Sequence, residues 1–189
     1  MNRSRFLLIA LLSMTLIGLE LTWTRIFSAE FFYTFAFLVL SLAVLGLGLG
    51  ALALRLFPGL NRESNVSVLL LLTALFTLLG PPVVFFLKLE FSILFTSWTA
   101  VGKLALAILI LSSAYFTGGV VLALLFRQHH RDMPRLYMSD LLGAAVGVLL
   151  AILLMNSIGT PTTTFLIALP VIFAATLCSR RWMTLVPLL

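Results

Sequence analysis

The sequence is poor in the residues on which soluble enzymes and disulfide-stabilised domains depend. Among its 189 residues it has one cysteine, two histidines and six acidic residues. The single cysteine, Cys178, cannot form an internal disulfide, and so few thiols and imidazoles leave little to ligate zinc. We therefore predict no disulfide framework, no metal site and no cofactor.

Charge is scarce as well, and apolar residues take its place. Only 10% of the residues are charged, 62% are hydrophobic, and the mean hydropathy is +1.21. A soluble domain has about 25% charged residues, and a helix needs about 20 apolar residues to cross the hydrocarbon core of a bilayer. The sequence predicts an all-α, polytopic membrane helical bundle, forming one domain over residues 1–189. The six predicted transmembrane helices are residues 6–24, 32–57, 66–89, 101–126, 137–158 and 160–178.

The net charge of +6 indicates topology and not nucleic-acid binding, because the basic residues lie at the ends of apolar runs. With a cytoplasmic N-terminus, nine basic residues face the cytoplasm and three face outward. We expect a multi-pass protein of the bacterial inner (plasma) membrane, with both termini cytoplasmic. The inner set is Arg3, Arg5, Arg55, Arg62, Arg127, Arg131, Arg135, Arg180 and Arg181, and the outer set is Arg25, Lys88 and Lys103.

Polar residues inside a span are the candidate functional positions. Glu20, Trp23 and Arg25 lie near the end of the first predicted helix, and Tyr137 and Asp140 open the fifth. Glu20 and Trp23 share a helix face, whereas Glu20 and Arg25 are poorly placed to pair. A structural role for these residues is the favoured interpretation, and a functional role is the alternative.

The predicted topology separates the two acids. Glu20 lies near the outer end of the first helix and Asp140 at the cytoplasmic end of the fifth, so we expect no single site made of both. Asp140 is expected to pair with Arg127, Arg131 or Arg135, which lie on the same side.

Small residues on three helices predict close helix packing. They are Gly46, Gly50, Gly118, Gly143 and Gly147, and the first and last pairs have the Gly-x-x-x-Gly spacing. We predict that these glycine faces dock other helices.

Three further features give local expectations. Pro81 and Pro82 follow Gly80, so the third helix should kink or break there. Residues 91–98 are aromatic and too short to span, which is typical of an interfacial segment. His129 and His130 are adjacent and should lie in a solvated loop.

Three motifs carry a resemblance to a known family. They are ELTWTRIFS from Glu20 to Ser28, the glycines at 46 and 50, and LYMSDLLGAAVGVLLA from Leu136 to Ala151. Together they resemble the membrane domain of multi-spanning spermidine synthase-like (polyamine aminopropyltransferase-like) proteins. In that family a membrane region precedes a cytoplasmic aminopropyltransferase domain. Only eight residues follow Arg181, so we expect no catalytic domain on this chain.

Three functions remain open at this point. The first is a non-catalytic membrane subunit that packs against other membrane subunits, a second copy or a separately encoded aminopropyltransferase. The second is a transporter or substrate-handling module for polyamines or related metabolites, with Glu20 or Asp140 meeting a cationic amine. The third, a membrane enzyme, has the least support, because the sequence has no nucleophile-elbow, zinc or phosphate-binding motif.

Overall fold

The computed structural model describes residues 3–30, 36–88 and 97–185. Those residues form seven α-helices, and short 3-10 turns at Pro58–Leu60 and His130–Asp132 connect some of them. The helices are α1 (Arg3–Glu30), α2 (Ala36–Leu56), α3 (Glu63–Leu87), α4 (Trp98–Gln128), α5 (Met133–Ile158), α6 (Thr160–Leu166) and α7 (Leu169–Leu185).

The prediction of an all-α membrane bundle with six spans is confirmed. Five helices are each long and apolar enough to cross a bilayer, and α6 and the first part of α7 together make the sixth span. The spans are Ser4–Ala29, Ala36–Leu56, Glu63–Leu87, Trp98–Gln128, His130–Ile158 and Thr160–Ser179.

The first helix lies at the centre of the bundle. α1 contacts α2, α4, α5, α6 and α7, and its side chains at Ile9, Leu12, Leu19 and Trp23 are at most 1% exposed. α4 packs against α2 and α3 on one side of this core. A helix surrounded in this way turns nearly all its faces, polar residues included, towards protein.

Glycines set how closely α1 and α5 approach. A Cβ at Gly143 would lie 2.2 Å from the carbonyl oxygen of Ala10, and one at Gly147 would lie 2.7 Å from that of Met14. No side chain fits at such distances, so the two backbones are in direct contact. The contact residues advance together along both helices, so α1 and α5 run parallel.

The crossing of α2 and α4 is built in the same way. A Cβ at Gly50 would meet the carbonyl oxygen of Phe116 at 2.5 Å, and one at Gly46 would meet the Cβ of Tyr115 at 2.6 Å. Gly118 faces the side chain of Leu16 on α1. The predicted glycine faces are therefore covered by helices of the same chain and are not open to a partner.

α3 is continuous through Pro81 and Pro82 to Leu87, so the helix does not break at these prolines. The break falls instead in the sixth span, which was predicted as one helix. Ile167 and Ala168 separate α6 from α7. Pro170 has no N–H to bond the carbonyl of Leu166, which accounts for the interruption.

Helix bounds also differ from the predictions at several ends. α1 continues to Glu30, six residues past its predicted end, and α5 begins at Met133. His129 is half-buried and bonds Arg5 of α1, whereas His130 opens a tight 3-10 turn and is exposed. Of the predicted interfacial segment, residues 91–96 lie outside the described residues.

The contact of Gly143 with α1 gives a stability prediction. Gly143→Ala should destabilise the protein by about 1–3 kcal/mol, because its Cβ overpacks against backbone that cannot rotate away. Gly48→Ala is the matched control, since a Cβ there meets nothing within 4 Å. Thermal unfolding in a neutral detergent measures both, and equal melting temperatures for the two variants would contradict the described crossing.

Candidate functional site

The conspicuous polar residues of α1 fall into different environments. Glu20 is half-buried, Trp23 is 1% exposed and Arg25 is exposed. The ring of Trp23 packs on α3, where a Cβ at Gly80 would lie 3.1 Å from Cζ2, and it meets Phe27 edge to face with ring centroids 5.8 Å apart. Trp23 is a core residue that holds α1 against α3.

Glu20 and Tyr115 form the most unusual polar arrangement within the spans. Tyr115 on α4 is 1% exposed, and its hydroxyl has no hydrogen-bond partner among the described residues. Glu20 lies one helical turn from Leu16, a residue of α1 that contacts α4 at Gly118. The sequence analysis identified Glu20 but missed Tyr115, because a tyrosine among apolar residues on a core helix carries no local signal.

Helix register explains why these two residues meet. Leu16 of α1 contacts Gly118 of α4. One turn further along α1 is Glu20, and one turn back along α4 is Tyr115. These are the next residues on the two facing surfaces. Gly46 of α2 lies against the Cβ of Tyr115. The pair therefore lies at a junction of α1, α2 and α4.

The junction lies at hydrocarbon depth. Tyr115 is twelve residues from Arg127, and Glu20 is fifteen residues from Arg5. At about 1.5 Å per residue these separations place the pair roughly 18–22 Å from the end of the bundle that carries Arg5 and Arg127. We call this end the arginine-rich end. A carboxylate at that depth in a core of about 30 Å is costly unless a partner compensates it.

Asp140 is satisfied by a partner that the sequence analysis did not identify. The Ser13 hydroxyl on α1 donates a hydrogen bond to Oδ1 of Asp140. Ser13 is buried and Asp140 is half-buried. Of the arginines proposed as partners, Arg127 donates instead to the carbonyl of Leu54 at the end of α2, at 3.4 Å. Asp140 thus fastens the start of α5 to α1.

The structure keeps Glu20 and Asp140 in separate places. Ser13, the partner of Asp140, precedes Glu20 by seven residues on α1, or about 10 Å along the axis. Tyr137, which the sequence analysis grouped with Asp140, is 56% exposed on the outer face of α5.

A further polar cluster lies at the arginine-rich end and was also missed. Arg5 donates to Oε1 of Glu63 at 2.9 Å and to Nε2 of His129. The other ring nitrogen of His129 is 3.1 Å from the carbonyl oxygen of Leu125. Since arginine only donates, Nε2 of His129 accepts here and Nδ1 carries the proton. The cluster joins the starts of α1 and α3 to the end of α4. A small open cleft beside it is lined by Arg5, Phe6, His129, Asp132 and Leu136.

Comparison with known proteins adds no relative. No family model, no curated protein and no solved structure matches this chain. The assignment of function therefore depends on the geometry described above.

The bond between Ser13 and Asp140 predicts a measurable loss of stability. Ser13→Ala leaves a half-buried carboxylate without this donor and should cost about 0.5–2 kcal/mol. Ser157→Ala is the control, because the Ser157 hydroxyl bonds only carbonyls of its own helix. Unfolding by titration with a denaturing detergent measures both. An unchanged midpoint for Ser13→Ala would show that this contact does not stabilise the fold.

Proposed function

We propose that this protein is a non-catalytic integral membrane subunit or scaffold, related to the membrane domain of spermidine synthase-like proteins. Its partners would be other membrane subunits, a second copy of the chain or a separately encoded aminopropyltransferase. We place it in the bacterial inner (plasma) membrane with both termini in the cytoplasm.

The shallow attachment of α5 is the observation that carries the proposal. In the most apolar stretch of this span 17% of the residues are buried, against 39–56% in the other five spans. Its extensive described contacts are with α1 and α6 only. The outward face is apolar over the length of the span: Met138, Leu141, Leu142, Val146, Leu149, Leu150, Ile152 and Leu153 are all exposed.

Polar and aromatic residues at both ends of this face favour a helix over lipid as its cover. Tyr137 is exposed at the start of α5, and Asn156 is exposed at its end. Side chains of these types hydrogen-bond between membrane helices, whereas lipid chains cannot accept such bonds. We define this surface, Tyr137 to Ser157 on the outward side of α5, as the α5 face.

Substitution on the α5 face should release a partner without unfolding the chain. Leu149 is 63% exposed, so Leu149→Trp adds bulk outside the bundle. We expect extraction in mild detergent to yield wild type with a stoichiometric partner or as a homo-oligomer, and Leu149→Trp as the 20.8 kDa chain alone. Val44→Trp on α2, where Val44 is 67% exposed, is the matched control and should keep the partner.

Light scattering coupled to chromatography, with mass spectrometry of the complex, reads out both variants. A wild-type protein that is monomeric and alone after mild extraction would overturn the proposed function. Loss of the partner from Val44→Trp and not from Leu149→Trp would move the interface to α2.

The proposed orientation has its own test. The structure brings Arg5, Arg127 and the end of α2 to one end of the bundle, and the positive-inside rule places that end in the cytoplasm. In a Cys178→Ala background, Thr99→Cys should react with an impermeant maleimide in intact spheroplasts, and His130→Cys only after lysis. The reverse pattern would invert the topology.

Handling of polyamines or related cationic metabolites is the second candidate function. The observation that favours it is the carboxylate of Glu20, half-buried at hydrocarbon depth with no hydrogen bond or ion pair to any described residue. Asp140, the other acid considered for this role, is engaged by Ser13.

A further inference from the structure

Glu20 differs from Glu63 and Asp140, two acids that the structure also describes in the spans. Glu63 is paired with Arg5, and Asp140 accepts from Ser13. Glu20 has neither an ion pair nor a hydrogen bond within the described residues. Arg25, the nearest cation along α1, is five residues away, about 140° around the helix, and exposed. The Glu20 carboxyl group therefore has no counter-charge and no hydrogen-bond partner among the described residues.

Tyr115 supplies an independent sign of a missing ligand. Its hydroxyl is enclosed by the bundle, yet it neither donates nor accepts a hydrogen bond among the described residues. Buried hydroxyls in native proteins nearly always have a partner, which can be protein, water or a bound ligand. The buried hydroxyls of Thr73 and Thr117 bond each other or carbonyls of their own helices, whereas that of Thr15 on α1, like that of Tyr115, has no partner among the described residues. The Tyr115 hydroxyl and the unpaired carboxylate of Glu20 lie at the same junction.

We propose that Glu20 and Tyr115 form an intramembrane binding site for a small monovalent cation, either an alkali ion or a primary ammonium group. The carboxylate neutralises the charge and offers two oxygens, and the phenol oxygen offers a third. Three oxygen acceptors match the three N–H donors of an ammonium group. An alkali ion also takes oxygen ligands, and the same three oxygens would contribute to its shell.

This inference deepens the second candidate function and rests on it for its biological role. Binding is measurable without transport, so the two can fail separately. We assign the site to Glu20 and not to Asp140, because of these two acids only Glu20 combines hydrocarbon depth with an unpaired carboxylate.

Thermal unfolding in neutral detergent, followed by tryptophan fluorescence, tests the site. We would titrate sodium, potassium and methylammonium chloride against choline chloride at the same ionic strength, since choline is too bulky for the junction and has no N–H donor. Wild type should be stabilised by at least one small cation beyond choline, because a ligand that binds only the folded state raises the melting temperature.

The variants assign that effect to the two side chains. Glu20→Gln should abolish the cation-dependent rise, and Tyr115→Phe should weaken the apparent affinity about tenfold by removing one hydrogen bond to a charged group. Asp140→Asn and Tyr137→Phe are matched controls and should respond as wild type does. Should Glu20→Gln fail to fold, Tyr115→Phe alone decides, because it changes one atom at the site.

The inference is overturned if no small cation exceeds choline in wild type, or if Glu20→Gln or Tyr115→Phe responds as wild type does. A second arm measures uptake of labelled polyamine into proteoliposomes. Binding without uptake would keep the site and reject the transport function. Uptake that survives Glu20→Gln would reject the site as part of that function.

Discussion

The close contact of backbones across glycines is the constraint on which this bundle depends. In lipid, apolar side chains gain little by leaving the hydrocarbon, so helices associate through dense packing and hydrogen bonds. Gly143 and Gly147 bring the backbone of α5 onto that of α1, and Gly50 brings α2 onto α4. At these crossings even one methyl group has no room. The position of every other side chain in the core follows from how near the helices lie.

Placing α1 in the centre determines which polar residues become internal. Ser13, Glu20 and Trp23 lie along a helix that contacts five others, so each meets a different neighbour. Ser13 meets α5, Trp23 meets α3, and Glu20 meets the junction that holds Tyr115. Core threonines behave differently. Thr22 and Thr77 donate to carbonyls of their own helices and need no partner elsewhere, which lets them occupy the core at little cost.

Hydropathy was enough to predict the six spans, because length and composition alone decide whether a helix can cross a bilayer. The glycine positions were also visible in the sequence, although not which helix would cover each one. The contacts of Ser13 with Asp140 and of Arg5 with His129 could not be predicted from the sequence, because the partners lie 127 and 124 residues apart. The prolines illustrate the same limit. Pro81 and Pro82 are accommodated near the end of α3, whereas Pro170 coincides with a break, and the difference lies in their surroundings and not in the residue type.

The environment of Glu20 differs from those of Glu63 and Asp140. Glu63 and Asp140 each have a partner on α1 and join helices, so their charges are accounted for by the fold itself. Glu20 lies deeper, and the described protein offers it no counter-charge. A chain under selection for stability alone would replace such a residue with glutamine or an apolar side chain, which would avoid the cost of an unpaired charge in hydrocarbon. Retaining the carboxylate beside an unpartnered tyrosine is consistent with a junction that is completed by something other than the chain.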